Sequence, residues 1–165
     1  MLTFPQHSKN IVIHEGVAKI TDFGNSKSLF TATNLHTEVF GMIPYVDPNL
    51  FRDISHIYNK KSDVYSIGVL MWEISSGRVP FSTVTNRGQL AAWIISGNRE
   101  KPVPGTPQEY IDLYTLCWDG DSEKRPNIKV VLESIGNIEP PMKQDSSTTI
   151  QGRFIATLSE IFNIF

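Results

Sequence analysis

The sequence predicts a mainly α-helical fold with one small β hairpin near the N-terminus. Three observations carry this. Two short apolar runs at 11–13 and 17–20 flank a turn. A long apolar run at 64–74 has no polar face. Three later segments repeat apolar residues at helical spacing. Of the 165 residues, 40% are hydrophobic and 19% charged, a globular composition. A chain of this length buries roughly 70% of its unfolded surface, so it needs no disulfide or metal staple.

Each element has a local reason. Ile11-Val12-Ile13 is apolar and β-branched, His14-Glu15-Gly16 reads as a turn, and Val17-Ala18-Lys19-Ile20 follows as a second strand. Residues 22–48 show no sustained period; Gly24, Gly41, Pro44 and Pro48 punctuate them, with Thr31, Thr33 and Thr37 between. Loops this long are usually functional or disordered. Ser62 is placed as the N-cap of the next helix, and Asp63 suits its positive end. The run from Val64 to Ile74 is apolar nearly all round, which puts this helix at the centre of the domain. Gly77 and Pro80 end it. A second helix fits 88–96, with Leu90, Trp93, Ile94 and Ala91 on one side. A third starts with Pro107 and runs through Tyr110, Ile111, Leu113, Tyr114, Leu116, Cys117 and Trp118. A fourth follows Pro126, with Ile128, Val131, Leu132 and Ile135 in phase. Residues 1–138 form one domain, 139–153 a linker, and 154–165 an amphipathic tail helix. That tail sets Phe154, Leu158, Ile161, Phe162 and Phe165 on one face.

Charge and cysteine content exclude several classes. Lys plus Arg is 15 and Asp plus Glu 17, so the net charge is -2. Nothing in that balance attracts nucleic acid or an anionic membrane. The one cysteine, Cys117, rules out an intramolecular disulfide and fits a small buried hydrophobe in a reducing compartment. No apolar run reaches the roughly 18 residues of a membrane span. The first ten residues lack the basic-then-apolar order of a secretory signal. The expected location is cytoplasmic.

The chemistry-bearing residues begin with Asp22-Phe23-Gly24, directly after the second strand. Asn10 precedes the first strand. A hairpin brings Asn10 and Asp22 side by side at its open end. An amide oxygen and a carboxylate are hard ligands suited to Mg²⁺. On spacing alone, turn-capping roles for the two residues fit better than ligation.

The wider pattern resembles a known family. His7-Ser8-Lys9-Asn10-Ile11-Val12-Ile13-His14 and Lys19-Ile20-Thr21-Asp22-Phe23-Gly24 come first. Gly41-Met42-Ile43-Pro44-Tyr45-Val46-Asp47-Pro48 and Ser62-Asp63-Val64-Tyr65-Ser66-Ile67-Gly68-Val69 follow. Trp72-Glu73, Gly77-Arg78-Val79-Pro80-Phe81 and the stretch from Trp118 to Arg125-Pro126 complete the series. In this order and spacing they resemble landmarks of a protein kinase C-terminal lobe, similar to the tyrosine-kinase-like group of Ser/Thr kinases. The resemblance covers 7–138.

The resemblance implies a partial kinase domain whose family activity is ATP-dependent phosphorylation of protein Ser/Thr. Residues 22–48 become the activation segment, and the four helices those the family calls αF, αG, αH and αI. Asn10 and Asp22 match its Mg²⁺ ligands, with Phe23 and Gly24 completing the metal-binding tripeptide. Phe23 also matches a regulatory-spine position, although an ordinary buried aromatic suits it better here. Gly41, Pro44 and Tyr45 match the substrate-binding wall. Val12, Leu70 and Ile74 match the floor under the adenine ring, and taken by themselves they read as core. Asp63 matches a residue that bonds the catalytic loop, and equally suits a helix-start carboxylate. Thr31, Thr33 and Thr37 are candidate phosphorylation sites. Arg78, Lys60 and Lys61 read as solvated charges.

The departures from the family matter as much. Its catalytic loop reads H-R-D-x-x-x-x-N. Counting back from Asn10 puts Pro5 at the Asp position, Phe4 at the Arg position and Thr3 at the His position. The Gly-rich loop and strand Lys of the N-terminal lobe would have to precede Met1. The chain alone is therefore expected to be inactive, with weak or absent Mg²⁺ and ATP binding. Ala-Pro-Glu of the family is Asp47-Pro48-Asn49 here, so Asn49 is expected to offer Arg125 a neutral hydrogen bond in place of an ion pair. His7 stands where Ser/Thr kinases commonly carry Lys, which loosens the hydroxyl preference. The alternative is a non-catalytic, pseudokinase-like module that binds proteins through the activation segment, the 88–96 surface or the tail. The tail is expected either to fold onto the domain's own surface or to associate through its apolar face, with association favoured because linker entropy and an unmatched surface disfavour a specific internal dock.

Overall fold

The apolar run at 64–74 lies inside a 17-residue helix, Lys60–Ser76, whose residues from Ser62 to Trp72 are all buried. A helix without a solvent face organises everything around it. The computed structural model describes residues 8, 11–14, 17–21, 43–53 and 55–138. Strands β1 (Ile11–His14) and β2 (Val17–Ile20) pair antiparallel, with Ile11 opposite Ile20 and His14 opposite Val17. Helices α1 (Asn49–Arg52), α2 (Lys60–Ser76), α3 (Arg87–Ile95), α4 (Gln108–Cys117) and α5 (Ile128–Asn137) follow. A 3₁₀ turn at Ser122–Lys124 precedes α5. The described residues are thus mainly helical with one small hairpin, as the sequence predicts.

The start of α2 corrects one expectation. The N-cap is Asn59, three residues before Ser62. Asn59 accepts from the Lys61 N–H at 2.8 Å and gives its own N–H to Ser62 Oγ at 3.4 Å, a capping box. Ser62 therefore closes the first turn and does not begin it. At the other end Gly77 adopts the left-handed conformation (φ 63), which ends the helix without strain.

The central contact runs between α2 and α4. A Cβ on Gly68 would sit 2.8 Å from Cys117 Cβ and 2.9 Å from the Trp118 backbone nitrogen, so only glycine allows this approach. Tyr110 donates to the Met71 carbonyl at 3.0 Å, and Trp72 Nε1 to the Lys101 carbonyl at 2.8 Å. Tyr114 stands edge-on to Tyr110 and to Trp118, at 5.9 and 4.9 Å between ring centroids. Cys117 is buried, and burial pushes its thiol up to about 12.

Three smaller expectations are also corrected. Leu90 and Ile94 of α3 are buried, but Trp93 is 47% exposed. It lies about 100° round the helix from Ile94, and its ring meets Phe81 at the domain edge, 6.3 Å away. Pro107 is the N-cap of α4 and not its first helical residue. Val12 is 47% exposed, because strand alternation turns it away from the side on which Ile11 packs against the core. The four-residue α1 has no periodic signal of its own; it starts at the end of Asp47-Pro48-Asn49, the match to the family's Ala-Pro-Glu. The linker 139–153, the tail 154–165 and Thr31, Thr33 and Thr37 lie outside the described residues. No described helix is long and apolar enough to cross a membrane.

Candidate functional site

Residues 43–48 run against α2 with their apolar side chains inward; Ile43, Tyr45 and Val46 are buried. Such a segment must also satisfy its polar groups where water cannot reach. The polar residues of α2 do this. Ser66 donates to the Tyr45 carbonyl at 2.7 Å, and Tyr45 Oη donates to Glu73 Oε2 at 2.7 Å. Tyr58 Oη donates to Asp63 at 2.7 Å. Burial, with the neighbouring carboxylate adding to it, raises the Tyr45 and Tyr58 hydroxyls well above the usual phenol range.

The strongest fixture is a dry ion pair. Arg125 gives Nη1 to Asp47 Oδ2 at 2.7 Å and Nη2 to Oδ1 at 2.9 Å, and both side chains are fully buried. Ser62 Oγ adds a bond to Oδ2 at 2.9 Å, and the Asn49 N–H one to Oδ1 at 3.0 Å. Four donors thus serve the two carboxylate oxygens. Arg125 also donates to the carbonyls of Asp119 (2.8 Å) and Lys61 (3.0 Å), and Lys61 Nζ returns a bond to the Arg125 carbonyl. Burial alone would push the Asp47 carboxyl up. The hydrogen bonds and charge of Arg125, with Asn49 and Ser62, outweigh it and hold the group below the usual carboxylate range. A bidentate, fully bonded pair is the arrangement in which a buried charge is tolerated.

The arginine expectation is therefore corrected. Arg125 finds an ion pair, with Asp47 and not with Asn49. Asn49 turns its amide to the Gly120 carbonyl at 3.2 Å and accepts from Arg52 at 3.4 Å. Asp47, two residues before Asn49, supplies the carboxylate that reaches the guanidinium. Lys61, expected as a solvated charge, is tied to the Arg125 backbone, while Lys60 and Arg78 are exposed. Arg99 was not singled out in the sequence. It donates to the carbonyls of Trp118, Ile94 and Asn98, joining the ends of α3 and α4. Its guanidinium and that of Arg125 lie 5.3 and 5.2 Å from the Tyr65 ring centroid.

The family model described as protein tyrosine and serine/threonine kinase matches residues 7–135. The chain belongs to this kinase family. It is 30% identical over 132 residues to a probable LIM domain-containing serine/threonine-protein kinase of Dictyostelium discoideum, covering 79% of this chain and 13% of that protein. A second such Dictyostelium protein is 30% identical over 132 residues, 79% of this chain and 20% of its own length. Mitogen-activated protein kinase kinase kinase 10 of Xenopus laevis is 28% identical over 135 residues, 81% and 13% of the two chains. The chain spans a fifth or less of each of these relatives.

Within this kinase C-terminal lobe, the predicted site residues separate into two groups. Pro44 is half-buried and Tyr45 buried, at the head of the segment that Asp47 anchors. Leu70 is core, and Ile74 packs against the core from its partly buried position. Asp63 is held by Tyr58 in the first turn of α2. The other group, Pro5, Asn10, Asp22, Phe23, Gly24 and Gly41, lies outside the described residues. The hairpin bears on it through chain connectivity. Ile11 pairs with Ile20, so the strand ends leading to Asn10 and, through Thr21, to Asp22 are neighbours.

Proposed function

We propose that this kinase lobe supplies the protein-substrate side of a Ser/Thr kinase-type domain and transfers no phosphate on its own. The observation that supports this is the buried Asp47–Arg125 pair. It keeps the segment from Ile43 to Asp53 fixed against α2, although the family's Glu is replaced by Asn49. A lobe that keeps this platform can still meet a protein, with the half-buried Pro44 as the described part of its wall and the buried Tyr45 supporting it from behind. The chemistry is the part that fails. Pro5 stands where the family's aspartate accepts the substrate's hydroxyl proton, and a proline ring has no acceptor. A general base contributes roughly 10²–10⁴ in rate. Asn10 and Asp22 would hold Mg²⁺, which when bound neutralises charge on the nucleotide phosphates. Binding of ATP by this chain is weak, roughly millimolar or worse by the need to enclose most of a ligand. Protein partners meet 43–53 or the exposed side of α3, and the setting is cytoplasmic.

Labelled ATP with a generic protein substrate tests this. Incorporation by the chain should equal that of its Asp22→Ala variant. Turnover that disappears in Asp22→Ala would overturn the proposal. A non-catalytic binding module is the second reading, and the survival of the anchored platform favours it.

A further inference from the structure

Between α4 and α5 the surface opens into a groove of about 750 Å³. Leu113, Leu116 and Ile138 give it apolar surface, Glu109 and Asp112 border it with carboxylates, and Asn137 lines it from α5. Leu116 is 44% exposed, so apolar surface in the groove is left uncovered by the described residues. We propose that the chain's own C-terminal segment, 154–165, seats in this groove.

Three observations single out that occupant. The chain leaves α5 at the groove itself, since Ile138 both follows the helix and lines the groove. The residues between, 139–153, contain Pro140 and Pro141 and many polar side chains. A linker of about 15 residues spans roughly 20 Å. That suffices to turn the chain back along α4, a 10-residue helix of about 15 Å. The segment has the matching chemistry: Phe154, Leu158, Ile161, Phe162 and Phe165 share one helical face. The sequence alone favours association over an internal dock, because it shows no matching surface for the tail. The groove is that surface, and the short tether raises the effective concentration of the tail beside it.

A thiol placed in the groove reads its occupancy. Asn137→Cys puts a reactive group on the groove wall, and the native Cys117 is buried with its thiol pushed up to about 12, so it gives little background. In the full chain, alkylation at position 137 should be slow and the same at tenfold lower protein concentration. Adding Phe162→Asp, or ending the chain after 153, should speed it at least tenfold. Leu116→Asp should do the same from the groove side, with an unchanged far-ultraviolet circular dichroism spectrum. A rate indifferent to Phe162→Asp overturns the proposal. So does protection that fades on dilution alongside a dimeric light-scattering mass, which would put a second copy's tail in the groove.

Discussion

The first half of α2 and the α4–α5 pair are held by opposite means. The fully buried polar groups of the described lobe, Asp47, Ser62, Asp63, Ser66 and Arg125, gather around the N-terminal half of α2. The buried residues of α5 are Val131 and Ile135 alone, and those of α4 are Tyr110, Leu113, Tyr114 and Cys117. Directional bonds at the first site favour one arrangement of 43–53, since the Asp47 carboxylate is held by four donors in fixed places. Apolar contact at the second fixes the helices less exclusively and leaves surface over for another element. The difference predicts where substitutions hurt most and where the chain has room to gain.

The largest effect should come from breaking the ion pair. Asp47→Ala leaves the Arg125 guanidinium buried without its carboxylate and should cost about 3–5 kcal/mol. Asn49→Ala removes only a neutral bond to Gly120 and should cost about 1 kcal/mol. Urea titrations of both variants check the contrast; equal losses would mean that Asp47 is not the anchor. Acid gives a second measure. The folded Asp47 carboxyl lies below its ordinary value. Its stabilisation is therefore complete above the unfolded carboxylate pKa of about 3.9 and is lost as pH falls through the folded value. Between pH 7 and pH 3 the wild type should lose stability more steeply than Asp47→Asn, which has no carboxylate to protonate.

Next in size is the helix crossing. Gly68→Ala puts a methyl 2.8 Å from Cys117 Cβ and 2.9 Å from the Trp118 backbone nitrogen. Backbone cannot swing aside as a side chain can, so α2 and α4 must separate. Overpacking of this kind costs about 1–3 kcal/mol. Alanine is otherwise the better helix former by about 1 kcal/mol, so a neutral outcome would show that the two helices do not cross this closely.

How far the sequence revealed these features follows from how local each one is. The four long helices were legible because apolar spacing repeats over several turns. Their starts were less so. Asn59, Asn86 and Asn127 cap α2, α3 and α5, yet the signal at Ser62-Asp63 looked as good as the true cap. Trp93 was misplaced because a nine-residue helix has too few turns to define the edge of its buried stripe. The Asp47–Arg125 pair joins residues 78 apart, and no local pattern announces it. A signal was nevertheless present: a buried arginine needs a carboxylate, and Asp47 is the acidic residue of the Asp47-Pro48-Asn49 tripeptide. The matches at Asn10, Asp22 and Gly41 rest on family resemblance alone and lie outside the described residues, since two oxygens at a hairpin end serve turns as readily as metals.

The smallest effect runs in the opposite direction and tests the apolar side of the comparison. Gly136 lies in the last turns of α5, and a Cβ there would meet nothing within 4 Å among the described residues. Its backbone is not in the left-handed region that favours glycine, since the positive-φ glycines described are Gly77, Gly97 and Gly105. Gly136→Ala therefore adds no clash, while it removes freedom from the unfolded chain and improves helix propensity. A gain of about 0.4–1 kcal/mol should follow. The same substitution is thus expected to harm α2 and help α5, and the sign is set by whether another helix's backbone lies against the site. A melting temperature raised by a few degrees, as 1 kcal/mol gives in a domain of this size, would bear this out. A drop would mean that an element outside the described residues already packs against Gly136, and that the open side of α5 is narrower than the described lobe makes it.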